Sequence, residues 1–154
     1  MPVFMVPVTA KVLDREEQWS LDLHRIYSEA DALRLCLEGE TLDANAFIQE
    51  ALAKDALEKK ERWFAAALFN DHLIGAVLVT EKPQAWYLQH LCVREVTRRR
   101  GVGSRLMTLV ATEGRNRGHQ VCVPRDGLTP ADEMLVRRLG YLLDFEQRCF
   151  KYQG

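Results

Sequence analysis

The sequence predicts an α/β domain built on one mixed sheet with helices on both faces. Three observations carry this reading. Apolar runs at 63–69, 73–80 and 86–93 follow one another with only short turn sequences between them, as antiparallel neighbours do. Helical patterns then alternate with further short strands, which calls for crossovers packed against the sheet. A length of 154 residues, 47% hydrophobic and 28% charged, is that of one soluble domain, here 1–154, with enough apolar mass to form a core without disulfides. The same composition excludes a collagen, a low-complexity tail or a disordered regulator.

Taken in order, Val3 to Thr9 reads as a strand that Pro7 confines to an edge or a bulge. Asp14 is placed to cap a helix to about Ala30, with Trp19, Leu21, Leu23, Ile26 and Tyr27 as its apolar stripe. After the polar stretch Glu38–Thr41, Asp43 caps a second helix predicted over Ala44 to Lys60. Trp63–Phe69 and Leu73–Thr80 flank Asn70-Asp71-His72 as a hairpin. Glu81–Gln84 turns the chain into the strand Trp86–Val93. A helix runs from Gly103 to about Arg117 and stops at Gly118, and the strand Gln120–Val123 follows. Pro130 fits the first position of a helix that ends at Gly140. Tyr141 to Tyr152 closes the chain as a strand pair or one bent strand.

Charge narrows the function classes. Lys+Arg 21 against Asp+Glu 22 leaves a net charge of −1, so no global positive field exists to hold nucleic acid. The four cysteines (Cys36, Cys92, Cys122, Cys149) and His24, His72, His90 and His119 are scattered, not clustered as a metal site requires. The cysteines read as reduced thiols of a cytoplasmic protein. The start, Met1 to Val8, lacks the cationic opening and small-residue cleavage site of a signal peptide. No apolar stretch approaches the roughly 18 residues of a membrane span, so neither membrane nor nucleic acid is expected as a partner.

One concentration of charge remains, Arg98-Arg99-Arg100, set between the strand end Leu91-Cys92-Val93 and the helix that opens at Gly101-Val102-Gly103-Ser104. The first turn of a helix has unpaired N–H groups at the positive end of its dipole. Glycines let phosphate oxygens approach those groups, and arginines add forked donors. The Walker pattern is absent, since Gly103-Ser104 lacks the lysine, and Leu106 stands where a dinucleotide loop needs its third glycine.

The pattern that fits is Arg/Gln-x-x-Gly-x-Gly/Ala at Arg98 to Gly103. It resembles the coenzyme A pyrophosphate loop of the GCN5-related N-acetyltransferases (GNAT). The resemblance extends from Arg62 to Tyr152 and includes Leu139-Gly140-Tyr141. It implies a mixed, mostly antiparallel sheet splayed at its central strands, with acetyl-CoA as cofactor. It assigns Leu91, Cys92 and Val93 to the pantetheine arm, whose amides can join a sheet edge as an added strand does. Thr97, Arg98, Arg99, Arg100, Gly101, Val102, Gly103 and Ser104 would hold the pyrophosphate. Within the family, Arg94–Gly103 and the hairpin Ala65–Ile74 are similar to the PanZ (PanM) branch. That similarity implies an acetyl-CoA-dependent regulator that binds the aspartate α-decarboxylase zymogen and promotes its maturation, with Phe69 and Asn70 as candidate partner contacts. The region Asp31–Glu61 is longer than that branch leads one to expect and reads as a lid or wall over an acceptor cleft, with a binding surface as the alternative.

Transfer of an acetyl group to an amine needs a base and a proton for the leaving thiolate. In many family members a tyrosine four residues before the glycine of Leu-Gly-Tyr supplies that proton; here the position is Val136. The remaining catalytic candidates are His90 and Tyr141, with Glu81 and Glu133 as weaker bases. Two readings therefore stand at this point: a ligand-dependent regulator, and an N-acetyltransferase working by direct attack of an amine on acetyl-CoA.

Overall fold

The computed structural model describes residues 2–53 and 61–154. In chain order the elements are β1 (Phe4–Val8), α1 (Ala10–Arg15), α2 (Glu17–Ser28), a 3-10 turn (Ala32–Leu35), β2 (Cys36–Leu37), β3 (Glu40–Thr41) and α3 (Ala44–Leu52). They continue with β4 (Glu61–Phe69), β5 (His72–Glu81), β6 (Ala85–Val93), a 3-10 turn (Glu95–Thr97), α4 (Val102–Asn116), β7 (Gln120–Pro124), α5 (Pro130–Arg138), β8 (Tyr141–Asp144) and β9 (Cys149–Tyr152). The main sheet has the order β1-β4-β5-β6-β7-β9-β8. β6 and β7 run parallel, and the other described neighbours are antiparallel. This is the mixed, mostly antiparallel α/β sheet that the sequence predicts.

Alternation along the strands sorts the core into two layers. Trp63, Ala65, Val77, Val79, Trp86 and Leu88 face α4 and α5, meeting Leu106, Met107, Val110 and Val136. Phe64, Ala66, Ala76 and Leu78 face α2 and α3, meeting Leu23, Ile26, Tyr27, Phe47 and Ile48. Helix α4 lies so close to the sheet at Gly114 that a Cβ there would come within 2.5 Å of Val121 Cγ2. The β4–β5 turn has left-handed Asn70 and Asp71 (φ 49° and 65°), the backbone that a two-residue hairpin loop requires. The buried Asp22 carboxylate of α2 accepts the Leu73 N–H at 3.0 Å and so ties this hairpin to the helix.

Several boundaries differ from expectation. The first predicted helix is two helices that meet at Glu16 (φ −104°, ψ 84°). Thr9 caps the first by accepting the Val12 N–H, and Asp14 lies inside it rather than at a cap. Leu21 is 51% exposed, outside the buried stripe. The polar stretch at 38–41 contributes a two-stranded hairpin, Cys36↔Thr41 and Leu37↔Glu40. Asp43 caps α3 as predicted, while residues 54–60 of that predicted helix lie outside the described residues. The C-terminal segment is a strand pair, β8 with β9.

Candidate functional site

The site begins where β6 leaves β7. Their pairing covers Ala85↔Gln120, Trp86↔Val121 and Tyr87↔Cys122. Past that point β6 stays with β5 alone, and the register jumps between Leu78↔Gln89 and Ala76↔Cys92. His90 is the bulged residue, with φ 59°. Its carbonyl accepts the Tyr27 O–H at 2.7 Å, and its Nδ1–H donates to the Arg34 carbonyl at 2.8 Å. Burial, first of all, holds the His90 imidazole below its ordinary pKa, and the charges of Arg62 and Arg34 act the same way against that hydrogen bond. The Leu91 carbonyl accepts from Arg34 Nη1 at 2.8 Å, while Arg34 Nη2 bonds both oxygens of Asp132 at 2.9 and 3.0 Å. Arg34 thus joins the 3-10 turn, the bulge and α5 across the gap between the strands.

The loop after β6 is fixed to the end of α2. Arg94 Nε pairs with Glu29 Oε1 at 2.6 Å. Arg98 donates to the Val93 and Glu29 carbonyls at 3.1 and 3.2 Å. Partial burial works against ionisation of Glu29, but hydrogen bonds from Arg94 and the Glu95 N–H hold its carboxyl below the usual range. Arg99 and Gly101 are both left-handed (φ 67° and 78°), and α4 starts at once with no side chain capping its N-terminus. A cavity of about 490 Å3 opens there. Leu91, Cys92 and Val93 form one wall, with Thr97, Arg98 and Arg99 beside them. Gly101, Val102, Gly103 and Ser104 form the helix end, and Arg138 closes the far side. Of the residues predicted to hold a pyrophosphate, Arg100 alone does not line it.

A second cavity, about 380 Å3, lies on the other side of Arg34 and shares Arg34, Leu91, Asp132 and Leu135 with the first. His90 and Gln89 line it, and so does Val136. The other acid–base candidates lie elsewhere. Tyr141 is fully buried against Tyr152, lines neither cavity, and burial pushes its phenol upward. Glu81 accepts from the Trp63 indole at 3.0 Å, and Glu133 pairs with Arg125 at 3.3 Å. Phe69 packs partly buried against the core, and Asn70 forms the hairpin turn next to it.

Tyr27, Arg34 and Asp132 were missed from the sequence. Asp132 had one visible signal, the Thr129-x-x-Asp132 capping box, whose two hydrogen bonds are formed. The N-terminus of α4 fits a phosphate group for a structural reason. Its first amides have no capping side chain among the described residues, and a Cβ added at Gly101 would meet no atom of those residues within 4 Å. No described helix is long and apolar enough to cross a membrane.

Solved structures share this fold. Tetrahymena GCN5 is similar with a TM-score of 0.68 at 13% identity, over 97% of this chain and 94% of its own. Escherichia coli YhhK, solved bound to coenzyme A, is similar with a TM-score of 0.62 at 24% identity, over 100% of both chains. The fold is that of the GNAT acetyltransferases. The family model for the acetyltransferase (GNAT) domain of PanZ matches residues 8–134, and the chain belongs to that family. A curated relative, the PanD regulatory factor of Salmonella typhimurium LT2, is 49% identical over 51 residues, or 33% of this chain. That match covers 40% of the relative, less than half its length.

Proposed function

We propose that this protein is a cytoplasmic acetyl-CoA-binding regulator that engages the aspartate α-decarboxylase zymogen. The observation that carries the reading is the uncapped start of α4 behind Arg98, Arg99 and Gly101, facing an open cavity, in a chain of the PanZ family. The amides of Val102 to Ser104 and the guanidinium of Arg99 would hold the pyrophosphate, while Arg98 shapes the loop through its bonds to two carbonyls. The exposed edge of Leu91 to Val93 would pair with the pantetheine amides, an exchange that frees Arg34 from the Leu91 carbonyl. Bound acetyl-CoA supplies the signal, and the chain's own residues read it by binding.

Acetyl transfer to an amine is the second reading, and one observation favours it. His90 lines the cavity beyond Leu91, and burial favours its neutral form, as a base requires. Thermal denaturation with and without acetyl-CoA tests the shared part: we expect a rise in Tm that Gly103→Glu abolishes by placing a carboxylate in the phosphate cradle. Absence of a shift in the unmodified protein would overturn both readings. Co-purification with the decarboxylase zymogen only when acetyl-CoA is present supports the regulator. Steady release of CoA with a defined amine would replace it by the transferase.

A further inference from the structure

We infer that the second cavity is an acyl-chain site, so that butyryl- and hexanoyl-CoA bind this protein more tightly than acetyl-CoA does. This rests on the coenzyme A reading of the first cavity. The two cavities share Leu91, Leu135 and the Arg34–Asp132 pair as common walls. A thioester whose phosphates lie at Gly101–Ser104 and whose arm follows Val93 to Leu91 therefore delivers its acyl end into the second space. That space, about 380 Å3, is in the range of small-molecule pockets and larger than an acetyl group needs.

Its lining favours hydrocarbon. Half-buried Leu37, Leu91, Leu128 and Leu135 border it, and Val123 and Val136, each 3% exposed or less, close its floor. Arg34 and Asp132 bond each other, and Arg62 Nη2 donates to Glu38 at 3.4 Å, while Gln89 and the Arg62 Nε, buried without a partner among the described residues, also border the space. His90 Nδ1 is engaged by the Arg34 carbonyl. A polar group pushed to the valine floor would lose its water without a partner, whereas a methylene chain there dries the leucine walls.

The test is isothermal titration of the full chain with CoA, acetyl-CoA, butyryl-CoA and hexanoyl-CoA. Affinity should rise along the thioester series, by up to about fourfold per added methylene. Flat or falling affinity from acetyl to hexanoyl, with CoA itself still binding, would overturn the acyl site and leave the cofactor reading intact. Failure of all four to bind would overturn the cofactor reading and this inference with it. Val136→Phe, which fills the floor, should bring the hexanoyl-to-acetyl ratio towards one. Leu128→Trp does the same from a half-buried loop position should the valine variant not fold. A ratio unchanged in a folded variant counts against the site.

Discussion

The two ends of β6 are built by different means. At Trp86 the strand has a neighbour on each side, Glu81 of β5 and Val121 of β7. The indole is fully buried, edge-on to Trp63 at 5.4 Å and stacked on His119 at 5.7 Å. At His90 and Leu91 the β7 side is open, the backbone bulges, and two carbonyls depend on side chains from α2 and the 3-10 turn. A sheet ladder satisfies its own polar groups. An open strand end must borrow partners, and borrowed partners can be exchanged for a ligand's amides. The difference between paired strand and open edge lies in what faces the strand.

Mutations at the two ends should separate them. Trp86→Ala is the largest expected effect, about 3–5 kcal/mol lost in urea denaturation, with amide exchange rising throughout the sheet. Tyr27→Phe leaves the His90 carbonyl without its donor and should cost about 1–3 kcal/mol. Its faster exchange should be confined to Leu91–Val93, and an increase that reached β7 would break the comparison. The smallest effect is pH dependence at the bulge. The folded-state pKa of His90 is lowered, so below about 6.5 the unfolded chain takes up a proton that the folded one does not. His90's contribution is therefore fully present above that pH and is lost as pH falls towards the folded pKa. His90→Asn keeps a residue tolerant of positive φ and removes the titration. Its urea midpoint should vary less between about pH 7.5 and about pH 5.5 than that of the parent chain. Equal slopes would show that His90 does not titrate differently in the two states.

Much of the sheet and of the loop before α4 was legible because its signals are local. Continuous apolar runs marked β4 and β5, Asn70-Asp71 marked their turn, and Arg98 to Gly103 marked the loop before α4. Asp43 capped α3, and Pro130 opened α5, where they were expected to. The break at Glu16 was not visible, since the apolar stripe runs on through Trp19 and Leu23 and only the backbone dihedrals record the kink. Nor did the charge run reveal that Arg98 spends its guanidinium on the Val93 and Glu29 carbonyls. A histidine in a strand pattern gives no hint of a left-handed bulge, which arises because β6 must follow β5 while leaving β7.

By itself the sequence determined the alternation of strands and helices, the hairpin, the Asp43 cap and the phosphate-type loop, because each depends on residues within a few positions of one another. Tertiary structure alone decided that Tyr27, Arg34 and Asp132 meet at the open end of β6. Their contacts span 63, 57 and 98 residues of chain. They form only after helices have packed on both faces of the sheet, because it is that packing which brings α2, the 3-10 turn and α5 to the gap where β6 and β7 part.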